Sequence, residues 1–304
     1  MTTFLVNPAS AGGATGKKWP ELARRAAAVG LEGRALLSER PGHLTELAAR
    51  AVTEGERHLV VVGGDGTAFE AVNGVLEAGG DDVELAFLPR GTGRDFARSL
   101  GLPKRFEDAV EVARAGASRT IDAGRATFTH GGTTGQAWFA NIAGAGISGA
   151  IARRANTSSK ALGGRLSFLV ATVAEFARWK SARVDAELDG GTCSGPMFEV
   201  VAMNGAYAAG GMRVAPDAEL DDGLLDCVFF GDVTKIDFAT TFPKIYRGRH
   251  LSHPKIDVVR TRVVRIDADP PLPVVLDGEQ PGTTPAKFEL VPGALRVRVP
   301  TRVS

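Results

Sequence analysis

Cysteine is almost missing from this chain: Cys193 and Cys227 are the two that occur in 304 residues. Two thiols in apolar, strand-like stretches are expected to be buried and reduced rather than to form a disulfide or bind a metal. A surplus of charge is missing too. Lys and Arg number 36 against 35 Asp and Glu, for a net charge of +1. Nucleic acid is therefore not the expected partner, because phosphate backbones select for a large basic excess. Long hydrophobic runs are also lacking: none approaches the roughly 18 residues needed to cross a bilayer. No charged-then-apolar leader precedes the first strand-like residues, TTFLVN. The expectation is a cytoplasmic protein whose contact with the inner face of a membrane, if it makes one, is peripheral. The five histidines, at 43, 58, 130, 250 and 253, have no metal-binding spacing, and His250 and His253 read as a solvated loop pair.

What the chain does have is 44% apolar residues and enough length for two domains of roughly 100–200 residues each. Its first third alternates strands and helices. Phe4–Val6, residues 33–37, Leu59–Val62 and Leu85–Leu88 read as strands, and residues 18–29, 44–53 and 68–77 read as helices. In the last helix Phe69, Val72 and Leu76 fall on one face, with Phe69 expected in the core. This rhythm predicts a Rossmann-like open parallel sheet with helices on both faces. Near Ile121-Asp122 the pattern changes to short alternating runs, among them 137–142, 183–188, 198–203, 224–230, 258–266 and 294–299. Helices are expected near 147–155 and 234–246. A further one over 160–180 carries Leu162, Leu166, Leu169, Val173 and Phe176 on one face, with Lys160, Arg165, Arg178 and Lys180 toward its ends. A core helix explains that stripe more cheaply than a membrane-surface helix does. The expected division is an α/β domain over 1–122 and an antiparallel β-sandwich or barrel over 123–304. The last strand, near 294–299, is a candidate to return to the first domain.

The sharpest local signal is Gly63-Gly64-Asp65-Gly66-Thr67, between the strongest strand and a helix. Glycines let the backbone approach a phosphate, and the helix N-terminus offers N–H groups and a favourable dipole. Asp65 suits such a place when Mg2+ lies between it and the phosphates. Thr67 can cap the helix and donate to a phosphate oxygen. The plain alternative is a tight turn with a capping Asp.

This string, with its surroundings, resembles the soluble diacylglycerol kinase family, which includes sphingosine and ceramide kinases. Four further blocks carry the resemblance in the family's order, over nearly the whole chain. They are Asn7-Pro8-Ala9-Ser10-Ala11-Gly12-Gly13, then Pro89 to Arg98 around Thr92, then Pro216 to Leu224, then Leu276-Asp277-Gly278-Glu279. NAD kinase shares the glycine string, but its G-S-T-A-Y block does not appear. The resemblance implies an ATP-dependent lipid kinase. ATP would be held by Asn7, Ala9, Ser10, Ala11, Gly12, Gly13, Ser38, Gly63, Gly64, Asp65, Gly66, Thr67 and Thr92. A cation, expected to be Mg2+, would take the side chain of Asp222 and the carbonyls of Glu219 and Leu224. Glu279 would remove the acceptor's proton, with Asp65 as the second catalytic carboxylate. Without the resemblance, Asp277-Gly278 is a hairpin turn with a Glu after it, and Asp222-Gly223 an acidic turn. The expected substrate is a lipid or another hydroxyl-bearing molecule. A homodimer is the assembly to test, since the sequence does not fix the oligomeric state. Three positions depart from the family: Phe69 and Arg94 stand where Asn is usual, and Ser148 where an Asp is common. The alternatives are an NAD-kinase-like enzyme and a nucleotide- or lipid-binding regulator.

Overall fold

The computed structural model describes residues 2–91, 93–157, 172, 175–176 and 178–301. Thr92 and most of the 160–180 helix reading lie outside the described residues. Chain contacts divide the protein into two compact units, residues 1–122 with 292–304, and residues 123–291.

The first unit is built from β1 (Thr2–Val6), α1 (Ala14–Ala27), β2 (Gly33–Leu37), α2 (His43–Thr53), β3 (His58–Gly63), α3 (Asp65–Glu77), β4 (Glu84–Pro89), α4 (Asp95–Ser99) and α5 (Phe106–Ala115). Its strands lie in the order β2-β1-β3-β4 and all run parallel. Both faces of the central strands are buried, so they read as continuous apolar runs rather than alternating ones. Phe4, Val6, Val60, Val62, Ala86 and Leu88 pack against Trp19 and Leu22 of α1 and Ala109 and Val110 of α5. The alternate residues Leu5, Leu59, Val61, Leu85 and Phe87 are buried on the other face, where α2 meets β1 and α3 meets β3. The face that α3 buries is Ala68, Ala71, Val72 and Val75. That corrects the expected face: Phe69 and Leu76 are half-buried on its flank. The small residues Ala68 and Ala71 let α3 lie close to the sheet, which turns the larger side chains outward.

Between the units run β5 (Ala117–His130) and, much later, β16 (Thr283–Val299), so each contributes residues to both. The end of β16 adds a parallel strand beside β4, with Arg296 opposite Glu84 and Val297 opposite Leu85.

The second unit holds β6 (Thr133–Phe139), β7 (Ile142–Gly146), α6 (Ile147–Thr157), β8 (Ala182–Leu188), β9 (Gly191–Met203), β10 (Tyr207–Ala208), β11 (Met212–Arg213), β12 (Leu225–Gly231), α7 (Lys235–Ile245), β13 (Ile256–Thr261), β14 (Val263–Asp269) and β15 (Val274–Leu276). The 13-residue β9 is shared. Its first half pairs with β8, which continues to β14 and β16, and its second half pairs with β7 and β12. A five-strand antiparallel order β15-β7-β9-β12-β13 results. The run 258–266 is two strands, not one: β13 pairs with β12 and β14 with β8, so the chain changes partner between them. The run 137–142 is likewise split between β6 and β7. His250 is fully buried, and His253 lies near Asp237 with its Nε2 3.6 Å from Oδ1, which corrects the reading of a solvated pair. Burial lowers the His250 pKa from its ordinary value. Cys227 is buried, while Cys193 is only half-buried, and burial raises both thiols.

Candidate active site

In the order β2-β1-β3-β4 the chain leaves β1 toward one side and returns at β3 on the other. Ligands of open α/β sheets bind at the carboxyl ends of the strands at such a switch point. Both glycine loops sit there. Asn7 closes β1, and its N–H donates to Val62 O at 3.1 Å. Its side-chain Nδ2 donates to Thr67 Oγ1 at 3.0 Å, joining the loop after β1 to the loop after β3. Its Oδ1 accepts the Ala9 N–H at 3.0 Å. Ser10 Oγ donates to Asn7 O at 2.9 Å and lies 2.6 Å from Thr15 Oγ1. Ala11, Gly12 and Gly13 follow with φ of 53°, 66° and 84°, a left-handed run that turns the chain into α1. Ser38 follows β2 at the same sheet edge, its N–H donating to Val6 O at 2.9 Å.

Gly64 is the N-cap of α3 and brings no side-chain cap. The first helical bond is Ala68 N to Gly64 O at 3.0 Å, so the N–H groups of Asp65, Gly66 and Thr67 precede the helical ladder. Unmet donors and the positive end of the helix dipole make this an anion site. The third loop, after β4, is drawn in by backbone contact. Arg90 N donates to Gly63 O at 2.6 Å, and a Cβ on Gly91 would lie 2.9 Å from Gly64 Cα.

The Asp65 carboxylate is committed to this third loop: Oδ2 accepts Arg94 N–H at 2.8 Å and Oδ1 accepts Phe96 N–H at 3.3 Å. It thus caps α4, whose own N-cap, Arg94, supplies no side-chain bond. Two bonds leave a carboxylate further lone pairs. Arg94 has φ of 58°, a left-handed conformation in which Asn is more at home than Arg. Its guanidinium donates to Pro103 O at 2.7 Å, and burial lowers its pKa. The side chain is therefore bound to its own unit's backbone. Beneath these loops lies a void of about 20 Å³ between Val61, Asp65, Phe87 and Phe96, too small for a nucleotide.

In the second unit, Glu279 stands at the end of a two-residue hairpin. Leu276 and Glu279 exchange both backbone hydrogen bonds at 2.8 Å, around Asp277 with φ of 47° and Gly278 with φ of 95°. Positive φ at both central residues is the preferred hairpin geometry for Asp-Gly. Asp277 does more than turn the chain, and this the sequence reading missed. Its carboxylate accepts three backbone N–H groups, from Ala140 at 2.8 Å, Asn141 at 3.0 Å and Ile142 at 2.8 Å. The turn carrying Glu279 is thereby fixed to the start of β7.

Asp222 Oδ1 accepts the Leu224 N–H at 3.0 Å, and Oδ2 is paired with the Arg260 guanidinium. Glu219 is exposed and Leu224 half-buried. Asp226, opposite Arg260 across β12 and β13, is buried, and its pKa is raised by that burial. As placed, Asp222 and Asp226 face the Arg260 guanidinium. Among the described residues no group of three or more His, Cys, Asp or Glu is placed to hold a metal.

A cavity of about 320 Å³ lies wholly within the second unit, on one face of β15-β7-β9-β12-β13. Ile142, Val201, Val275 and Phe230 form its floor, and Ile151, Phe238, Phe242 and Ile245 of α6 and α7 cover it. Gly278, of the Glu279 turn, also reaches it. Two carboxylates line it, Asp237 of α7 and Glu199 of β9. Glu199 is buried, which pushes its carboxyl up to about 7, although Ser148 Oγ, Ser148 N and Ile147 N donate to it. A lone Glu within the apolar run Phe198–Met203 was the available signal.

Residues 1–126 match the diacylglycerol kinase catalytic domain, and residues 141–299 match the YegS C-terminal NAD kinase beta sandwich-like domain. A diacylglycerol kinase of Mycobacterium tuberculosis is 30% identical over 98% of this chain and 94% of its own length. One from Staphylococcus carnosus is 27% identical over 94% of this chain and 90% of its own. In fold, the chain resembles a Bacillus anthracis structure described as a diacylglycerol kinase, with a TM-score of 0.80 at 23% identity, covering 100% of this chain and 96% of that one. A yeast NADH kinase has a more distant likeness of fold, with a TM-score of 0.54 at 11% identity, covering 99% of this chain and 83% of that one.

Proposed function

Because this chain belongs to the diacylglycerol kinase family, it is an ATP-dependent lipid kinase, and we propose that its acceptor is a diacylglycerol or a sphingoid base. The observation that carries the site assignment is the Asn7–Thr67 bond, which ties two glycine loops together at the sheet's switch point. The triphosphate lies over Gly63–Thr67, where the α3 N–H groups receive it. The loop of Asn7, Ala9, Ser10, Ala11, Gly12 and Gly13 takes its other side, with Ser38 at the rim.

Phosphoryl transfer asks mainly for positioning and charge neutralisation. Mg2+ bound with ATP would supply neutralisation, and Asp65, which retains lone pairs beyond its two backbone bonds, would hold it. Asp65 also holds the third loop in place through the same bonds. Glu279 acts as general base: it takes the acceptor hydroxyl's proton as the new O–P bond forms, while the bond from the γ-phosphorus to the bridging oxygen breaks and ADP leaves. Asp277 holds the Glu279 turn still. The Asp222 group, which holds Arg260, takes no step in this scheme.

The cavity suits an acyl chain, since its walls are almost wholly apolar. Ile236 on the covering helix α7 is 77% exposed beside Lys235, a surface suited to peripheral contact with lipid. The test is Glu279→Gln. We expect kcat to fall by about 10²–10⁴-fold with ATP affinity and thermal stability kept. An unchanged kcat would remove Glu279 from the mechanism.

A further inference from the structure

We propose that Glu199 and His250 are paired hydrogen-bond acceptors inside the second-unit cavity, selecting an acceptor lipid that carries a hydrogen-bond donor besides the hydroxyl that is phosphorylated. The inference rests on the lipid kinase reading and narrows its substrate.

His250 is 0% exposed and lines the cavity. Its Nε2 lies 3.0 Å from Val214 O, and because a carbonyl can only accept, that nitrogen carries the proton. Nδ1 is then an acceptor, and it is buried with no partner among the described residues. Glu199 is the cross-strand partner of Phe230, and the Phe230 ring stacks on the His250 ring with centroids 6.0 Å apart. Both acceptors therefore flank one aromatic residue of the cavity floor.

The Glu199 carboxylate has a built seat. Gly144 and Gly146 of β7 lie against it: a Cβ at Gly146 would be 2.8 Å from Oε2, and one at Gly144 3.1 Å from Oε1. Ser148 donates twice, Oγ to Oε1 at 2.5 Å and N to Oε2 at 2.7 Å. The Ile147 N–H is a third donor. Above about pH 7 the carboxylate is ionised and has about four acceptor sites, so one remains for a ligand. Capping α6 accounts for the two backbone bonds but not for the place of the pair in the cavity lining, nor for the orphan nitrogen of His250.

Two acceptors facing apolar walls are left unmet by a ligand that is a hydrocarbon there, and are met by one with a hydroxyl or ammonium. Sites built to bond a donor discriminate strongly against analogues without it. A single-chain acceptor such as a monoacylglycerol or a sphingoid base has that spare donor. Diacylglycerol, with both other oxygens esterified, does not.

The experiment compares, with the full chain in detergent micelles, a 1-acylglycerol and the propanediol monoester of the same acid, which lacks the 2-hydroxyl. Kinetics are paired with equilibrium binding read from tryptophan fluorescence; Trp179 donates to Phe198 O at 3.0 Å, beside the cavity. The expected result is an affinity and KM about tenfold better for the acylglycerol, with KM for ATP unchanged. Glu199→Gln and His250→Phe should each remove most of that difference. A sphingoid base run alongside separates the sources: an advantage lost in Glu199→Gln but kept in His250→Phe marks an ammonium on the carboxylate. Equal binding of the matched pair by the wild type overturns the proposal, as does a preference that survives in both variants. Because binding is read without turnover, a wild type that discriminates yet phosphorylates no lipid counts against the kinase reading and not against the acceptor pair.

Discussion

Asp277 gives the sharpest mutational test, because it holds the turn that bears the proposed base. The perturbation is Asp277→Asn. Asn tolerates the left-handed φ of 47° as Asp does, so the change removes hydrogen bonding without adding turn strain. One side-chain oxygen remains, and the amide nitrogen must face at least one backbone N–H. Leaving that donor unmet costs about 1–3 kcal/mol, and losing charge assistance on the other two bonds costs roughly 1 kcal/mol each. The total is about 3–5 kcal/mol. For a unit of this size that lowers Tm by roughly 6–20 °C. The assay is thermal denaturation with ADP release measured below the variant's Tm. We expect kcat to fall while KM for ATP holds, since the nucleotide loops lie elsewhere in sequence. A variant that melts within a degree of the wild type and keeps its kcat would refute the account of this turn.

Two other outcomes follow. Gly91→Ala sets a Cβ 2.9 Å from Gly64 Cα, so the loops after β3 and β4 must part; KM for ATP should rise by about tenfold or more, and an unchanged KM would show that their approach is unimportant. Glu199 is raised from 4.5 to about 7 in the folded state by burial, so the fold binds more protons than the unfolded chain between those values. That contribution is fully present below pH 4.5 and is lost as pH rises through 7, about 3 kcal/mol in all. Glu199→Gln should flatten this part of the stability–pH curve, and a slope that stays would assign it to other groups.

The glycine string, the strand before it and the parallel sheet were legible because buried strands and phosphate turns use few residue types in fixed order. The face of α3 was misjudged because Phe69 and Leu76 outrank Ala68 and Ala71 in hydrophobicity, whereas close helix–sheet packing favours the small residues. β5 escaped notice because its 14 residues, ASRTIDAGRATFTH, are broken by Gly124 and by charged side chains. Asp277 and Glu199 were hidden for opposite reasons. The first occupies a place where Asp-Gly already makes sense as a turn, and the second is a single charge in an apolar strand. Both act through backbone N–H groups that are distant in sequence, and no local pattern reports those. His250 was misread for the same reason: its burial comes from Phe230 and Val214.

The most direct measurement mixes the wild-type chain with labelled ATP, Mg2+ and lipid vesicles containing diacylglycerol and a sphingoid base, beside a parallel reaction containing NAD, and reads products by mass. The account predicts ADP release that depends on lipid, with one phosphate gained by a lipid hydroxyl. Phosphate appearing on NAD alone, or ATP turnover with no phosphorylated lipid, would contradict it.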